Sequence, residues 1–253
     1  MQQPARKTRK QKAQEPVGRV IKDKFVQDRI ESVRSKPIVP MNHKQEDYLQ
    51  ILNEKQICIV SGLAGTSKSY LAAATAADLY KLGQIERILV TRPAISSSQS
   101  VGYTSGDFQQ KMTSWLGGVI PVFKERLGAA MLELAISTED IQYVPLETVK
   151  GLSLNNTWLI VEESSDLTKE EVIKLITRMG KNSKLVLAGD VRQSELRGES
   201  GLVWLINFLQ RHSNLQKNFG WVDFDSPDYI VRSTAVKEFI ISMLRDEKYS
   251  SKV

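Results

Sequence analysis

The chain of 253 residues is 41% hydrophobic and 25% charged, which suits one large α/β domain or two small ones. No run of eighteen apolar residues exists, so no helical membrane span is expected; the basic N-terminus is followed by no apolar stretch, so neither is a secretory leader. The net charge of +6 is uneven: residues 1–36 hold eleven Lys/Arg against four Asp/Glu, whereas the remainder carries 24 against 25.

In chain order, residues 1–40 read as a basic, flexible tail. They lack a sustained apolar period apart from a short polar helix over Val20–Val33, and Pro37-Ile38-Val39-Pro40 closes them like a linker. The tail's charge suits a phosphate backbone, RNA or DNA, through counterion release; a solvated extension is the other reading. Residues 41–253 form the domain. Ile57–Ser61 reads as a buried strand that includes the only cysteine, Cys58, a small core residue whose isolation fits a reducing cytoplasm. Lys68–Leu82 is an Ala-rich helix ended by Gly83, and Arg87–Arg92 a strand stopped by Pro93. Residues 94–110 read as loop. A helical region then runs to Ala135, with a break over Gly117–Pro121. Strands follow at Ile141–Leu146 and Thr157–Val161, then a helix to Met179 opened by the capping box Thr168-Lys169-Glu170-Glu171. Strand Lys184–Ala188, helix 199–212, strand Trp221–Phe224 and helix Ser233–Arg245 complete the chain. Strands separated by helix-length segments imply parallel pairing in a layered αβα domain.

Three strand ends carry chemistry. Gly62-Leu63-Ala64-Gly65-Thr66-Ser67-Lys68-Ser69 follows one strand and opens one helix, the context a phosphate-binding loop requires. Small residues let backbone N–H groups converge on phosphate oxygens, and the helix N-terminus adds partial positive charge. Lys68 would reach the β- and γ-phosphates of ATP, and the Ser69 hydroxyl would hold Mg²⁺. Ser67 stands where the motif has its second glycine, so a positive φ there would cost about 1 kcal/mol. Trp158-Leu159-Ile160-Val161-Glu162-Glu163 delivers two carboxylates to a strand's C-terminal edge, where open α/β sheets bind ligands. Glu162 is placed in the Mg²⁺ shell, acting through water, and Glu163 polarises the attacking water. Lys184–Gln193 ends a third buried strand in polar groups, with Asp190 either a γ-phosphate sensor or a turn cap. His43 and His212 have no partner pattern. The four tryptophans fall in apolar settings and read mainly as core, and Tyr103 is the better candidate for stacking on a base.

These residues resemble the PhoH-like family of P-loop ATPases, which is related to superfamily 1 helicase motors. Beyond the phosphate loop, the resemblance rests on Thr91-Arg92-Pro93-Ala94, on 102–111 (Gly-Tyr-Thr-Ser-Gly-Asp-Phe-Gln-Gln-Lys), on Thr177-Arg178-Met179-Gly180, Gly189-Asp190-Val191-Arg192-Gln193, Ser200-Gly201-Leu202 and Asp228-Tyr229-Ile230-Val231-Arg232-Ser233. It implies a three-layer αβα, mostly parallel, RecA-like P-loop NTPase fold. It also implies Gln45 as a reader of adenine, Gln193 as γ-phosphate sensor and Arg232 as an arginine finger. ATP and Mg²⁺ are the implied cofactors, RNA or single-stranded DNA the implied partner, and bacterial or phage-infected cytoplasm the implied setting. With no second motor domain, the resemblance implies a homo-oligomer, a hexameric ring among the options, in which a neighbour's Arg232 closes the cleft. Three positions depart from the family: Ser67 for Gly, Glu162 for Asp, and Ser164-Ser165 for Ala-Gln. They leave open both an ATPase acting on nucleic acid and a nucleotide-binding interaction protein with little hydrolysis.

Overall fold

The computed structural model describes residues 36–93, 117–194, 196 and 198–246. The polar helix over Val20–Val33, most of the basic tail, the 94–110 loop, Trp115 and the 102–111 motif with Tyr103 lie outside the described residues. Six strands, β1 (Ile57–Gly62), β2 (Arg87–Thr91), β3 (Ile141–Tyr143), β4 (Thr157–Val161), β5 (Lys184–Ala188) and β6 (Phe219–Phe224), form one sheet in the order β3-β2-β4-β5-β1-β6. Every neighbouring pair is parallel. Both β1 and β4 are buried along their whole length, because helices cover both faces, and this explains their uninterrupted apolar runs.

Alternate side chains of each strand feed two separate cores. Cys58, Val60, Ile88, Val90, Trp158, Ile160, Val186 and Ala188 face one way. They meet α1 (His43–Glu54), α2 (Lys68–Lys81), α3 (Ile120–Leu127) and α4 (Ala129–Ser137). Ile57, Ile59, Leu89, Leu159, Val161, Leu185 and Leu187 face the other way, onto α5 (Leu146–Val149), α6 (Lys169–Arg178) and α7 (Gly201–Arg211). The result is the layered αβα domain that the alternation of elements implied, with the P-loop fold that the resemblance implied. In α2 the five alanines Ala72, Ala73, Ala74, Ala76 and Ala77 are fully buried; with no side chain beyond Cβ they let the helix lie between the sheet and its neighbours α1 and α3. Arg126 of α3 is buried against Asp78 of α2 and also donates to the carbonyl of Lys36 at 2.6 Å. That bond pins the start of residues 36–41, whose Ile38 packs on the first core.

The helix leaving β1 (α2) covers one face of the sheet, whereas the helix that follows its neighbour β5 (α7) covers the other. Diverging connections at adjacent strands open a crevice beyond their C-terminal ends. Apart from Gln45 and Arg232, the candidate site residues follow the ends of β1, β4 and β5, and this topology brings those ends together.

Some elements differ from the sequence reading. Helix α1 has only Tyr48 and Leu52 as fully buried apolar residues, spaced four apart in an otherwise polar stretch, and this weak period hid it. It is nevertheless well started, since the Asn42 side chain accepts from the Gln45 N–H at 3.0 Å. The strand expected over Ile141–Leu146 stops at Tyr143, because Pro145 begins the short turn of α5. Trp158 is a core residue as expected, but Trp221 is 41% exposed, because β6 is an edge strand. The last helix, α8 (Thr234–Arg245), has no buried residue, and its Phe239 is exposed.

The turn from β1 into α2 sets two opposite backbone demands. Gly62 has φ +126°, and a Cβ there would lie 2.5 Å from the carbonyl oxygen of Phe224. Ser67, the residue preceding α2, adopts φ 69° and ψ 25°, a left-handed conformation, and its side chain caps nothing. Gly62→Ala should therefore lower stability by at least about 2 kcal/mol through clash and backbone strain. Ser67→Gly should raise it by about 0.5–1 kcal/mol, the left-handed penalty less the added chain entropy of glycine. Urea unfolding of the two variants beside the parent checks both signs.

Candidate functional site

Beyond the C-terminal ends of β1, β4 and β5 lies a cleft of about 790 Å³, and residues 64–69 of the loop line it together with Glu162, Glu163, Asp190, Gln193 and Arg232. The loop is folded by its own polar groups. The Thr66 hydroxyl donates to the Leu63 carbonyl at 2.9 Å, and the Lys68 ammonium donates to the carbonyls of Gly62 (2.7 Å) and Leu63 (2.8 Å). Further contacts tie the loop to the rest of the domain, among them the Leu63 N–H donating to the Phe224 carbonyl at 3.1 Å. The Val231 N–H donates to the Gly65 carbonyl at 3.0 Å, and the Gln45 side-chain amide donates to the Thr66 carbonyl at 3.4 Å.

Lys68 is largely withdrawn from solvent, and burial pushes its ammonium down to about 8, against the opposing pull of the Asp190 and Glu163 carboxylates. The cation thus sits between the acids at the ends of β4 and β5, still mostly protonated at neutral pH. Burial likewise raises the Glu162 carboxyl above its usual range, the nearby Ser69 hydroxyl acts against that rise, and Glu163 adds to it by repulsion. The two side chains singled out as metal ligands, Ser69 and Glu162, both line the cleft and are near enough for one to influence the other. Glu162 is half-buried, while Glu163 is exposed on the cleft with a left-handed backbone, φ 51°. The tight turn between them sends successive side chains to different parts of the site.

At the β5 end Asp190 caps the following turn and also lines the cleft. Its Oδ1 accepts from the Arg192 N–H and from Nε, each at 3.1 Å. Its Oδ2 is buried with no protein partner, and the whole residue is only 4% exposed. Gly189 lets this end approach the turn after β4: a Cβ there would lie 2.6 Å from the Ser165 N–H nitrogen. Ser165, at the position where the family's glutamine was expected, is buried, and its carbonyl accepts from the hydroxyls of Ser194 (3.0 Å) and Ser200 (2.6 Å).

Of the residues read from the sequence, Ala64 to Ser69, Glu162, Glu163, Gln193 and Arg232 all line the cleft. Gly62 and Leu63 lie beneath the loop, their carbonyls on the Lys68 ammonium. Gln45 stands behind the loop, 2% exposed, and its carbonyl oxygen accepts from the Met41 N–H at 2.8 Å. Arg232 lies over its own chain's loop, since a Cβ on Gly65 would meet its Cγ at 2.7 Å. Val39 and Met41, which reach the cleft from the segment before α1, had no sequence signal; only the tertiary path of that segment brings them there. His43 contacts Tyr229, and His212 packs on Phe208. Among the described residues, no group of three or more His, Cys, Asp or Glu forms a metal cage, and no helix is long and apolar enough to cross a membrane.

A PhoH-like protein from Mycobacterium tuberculosis H37Rv is 29% identical over 222 residues, covering 87% of this chain and 62% of the relative. Protein PhoH of Escherichia coli K12 is 29% identical over 162 residues, covering 63% and 46%, and a Bacillus subtilis 168 PhoH-like protein is 31% identical over 152 residues, covering 60% and 48%. The chain thus spans about half to three-fifths of the length of these relatives. Among solved structures, the ADP complex of a large terminase from a thermophilic bacteriophage aligns with a TM-score of 0.46 at 13% identity, over 83% of this chain and 52% of that one. The family model for PhoH-like protein matches residues 37–244, so the strands, the loop and the acids of the cleft all fall within the match, and the chain belongs to the PhoH-like family.

Proposed function

We propose that this chain binds ATP with Mg²⁺ and hydrolyses it while acting on or with RNA or single-stranded DNA in the cytoplasm. The observation that carries the proposal is the convergence of Lys68 with the Ser69–Glu162 pair and Glu163 on one cleft. The donors fit the ion: a hydroxyl and a carboxylate are the hard oxygen ligands Mg²⁺ takes, with phosphates completing its shell. When bound, the ion would neutralise phosphate charge. Loop N–H groups and Lys68 would hold the triphosphate. Water then attacks the γ-phosphorus, its proton passes to the Glu163 carboxylate, and the bond to the β–γ bridging oxygen breaks with the electron pair left on ADP. Gln193, exposed at the cleft, is suited to sensing the γ-phosphate, and the packing of Arg232 on Gly65 supports a charge-neutralising role in its own chain's cleft.

Nucleic acid is the proposed partner because the basic residues 1–36 carry the chain's excess charge. Association into a ring or other oligomer is supported by α8, an amphipathic helix with exposed Val236 and Phe239. A second reading, ATP binding with little turnover, is favoured by the burial of Ser165, which sends no side chain to the cleft where the family's glutamine was expected.

Affinity for ATP should be pH-dependent with a definite sign. The triphosphate favours the charged ammonium, and the free site holds its proton only up to about pH 8. Binding is therefore strongest well below pH 8 and weakens above it, by about fivefold between pH 8 and 9 for one proton taken up. Calorimetry across this range checks it, and Lys68→Ala should lose about 2 kcal/mol or more at pH 7 together with the pH dependence.

Glu163→Gln should keep ATP affinity while lowering turnover at least about 100-fold. Phosphate release with and without RNA or single-stranded DNA measures this, and it also separates the two readings: release by the parent chain supports the ATPase, and its absence under all conditions supports binding alone.

If Arg232 serves its own chain, Arg232→Ala should cut turnover while sparing ATP binding, and mixing it with Lys68→Ala protein should restore nothing. Recovered activity in the mixture would instead assign Arg232 to a neighbouring subunit's cleft.

A further inference from the structure

The structure leaves Gln45 in an unexpected relation to the nucleotide cleft. Its side chain is 2% exposed and does not line the cleft, and both ends of its amide are engaged inside the protein. The carbonyl oxygen accepts from the Met41 N–H at 2.8 Å, a bond that also fixes which end of the amide is which. The amide nitrogen is thereby turned to the Thr66 carbonyl, at 3.4 Å.

That carbonyl belongs to the peptide joining Thr66 to Ser67. In a trans peptide the C=O and N–H point in opposite directions. Holding the Thr66 oxygen back toward Gln45 therefore turns the Ser67 N–H forward, away from Gln45 and toward the cleft, where an anion would accept from it. The same peptide governs the strain at Ser67. Its φ of 69° would return to the ordinary negative range if the 66–67 peptide flipped, as in the interchange of type II and type I turns. The flip would relieve the strained serine and turn its N–H out of the cleft. Strained backbone persists only where the surroundings over-determine it. The Gln45 amide is such a constraint, and the Val231 N–H on the Gly65 carbonyl is another, one peptide earlier.

We propose that Gln45 is a positioning residue for the phosphate loop: it blocks the flip that Ser67 invites, and so acts on the triphosphate whatever base is attached. The proposal rests on the nucleotide-binding reading and refines it. A glycine at 67 is at ease with positive φ and needs the brace less. Gln45 and Ser67 are therefore coupled.

The probe that isolates the effect is inorganic tripolyphosphate, which has no base. Gln45→Met keeps the side-chain volume and removes both hydrogen bonds. It should weaken Mg²⁺-tripolyphosphate, ATP and GTP by the same factor, roughly 3- to 10-fold by calorimetry. In the Ser67→Gly background the same substitution should cost about threefold less, a coupling read by the double-mutant cycle. Ser67→Gly alone, which places no buried group at risk, should tighten tripolyphosphate about threefold; an unchanged affinity would overturn the flip. Loss confined to ATP, with tripolyphosphate and GTP unaffected, would also overturn the proposal and make Gln45 a base reader. An unchanged affinity for all three ligands in Gln45→Met would overturn it as well. Failure of the parent chain to bind either ATP or tripolyphosphate would instead remove the nucleotide-binding reading, and the brace with it.

Discussion

The structure depends on the parallel pairing of β1 with both β5 and β6. Residues Ile57 to Val60 run in register with Leu185 to Ala188 on one side, and Ile57 to Gly62 with Phe219 to Phe224 on the other. This pairing ends at Gly62, where the backbone lies so close to Phe224 that no side chain fits. Beyond it the chain must turn sharply into α2, on the opposite face from the helix that follows β5. The cleft is the space this divergence leaves. The loop that occupies it is held by its own Thr66 and Lys68 and by contacts from Gln45 and Val231.

Charge in that space is arranged by burial as much as by pairing. Lys68 loses its proton more readily than a surface lysine and would do so more readily still without Asp190 and Glu163, and Glu162 would be harder to ionise without Ser69. Both departures from ordinary acidity come mainly from withdrawal from water; Asp190 and Glu163 favour the charged Lys68, and Ser69 favours the charged Glu162 while Glu163 opposes it. A phosphate arriving in this setting meets a cation already desolvated and carbonyl-bound, so part of the ordering that binding requires is built into the fold.

Three positions where the chain departs from its family follow different physical rules. Ser67 carries backbone strain, because a Cβ is present where φ is positive. Glu162 keeps its carboxylate half-buried in the cleft that Ser69 also lines. Ser165 is enclosed beneath Gly189, and its backbone carbonyl, not its side chain, ties the β4 turn to the start of α7. Only the first of these costs was legible in the residue types alone.

The sequence by itself determined the local patterns: continuous apolar runs for β1, β4 and β5, the capping box that opens α6, and a strand–loop–helix motif ending in Lys68-Ser69. Each depends on residues close in the chain, through periodicity, capping or a tight turn, so each could be read in order along it. Helix α1 escaped because most of its residues are polar and its fixed register comes from packing on the sheet. What brought Glu162, Asp190, Arg232 and Met41 to one cleft was the strand order, which no local pattern encodes. The same is true of Gln45: its residue type allows a base reader or a strut equally. Only the fold, by setting the Met41 N–H and the Thr66 carbonyl at its two ends, decided where its hydrogen bonds go.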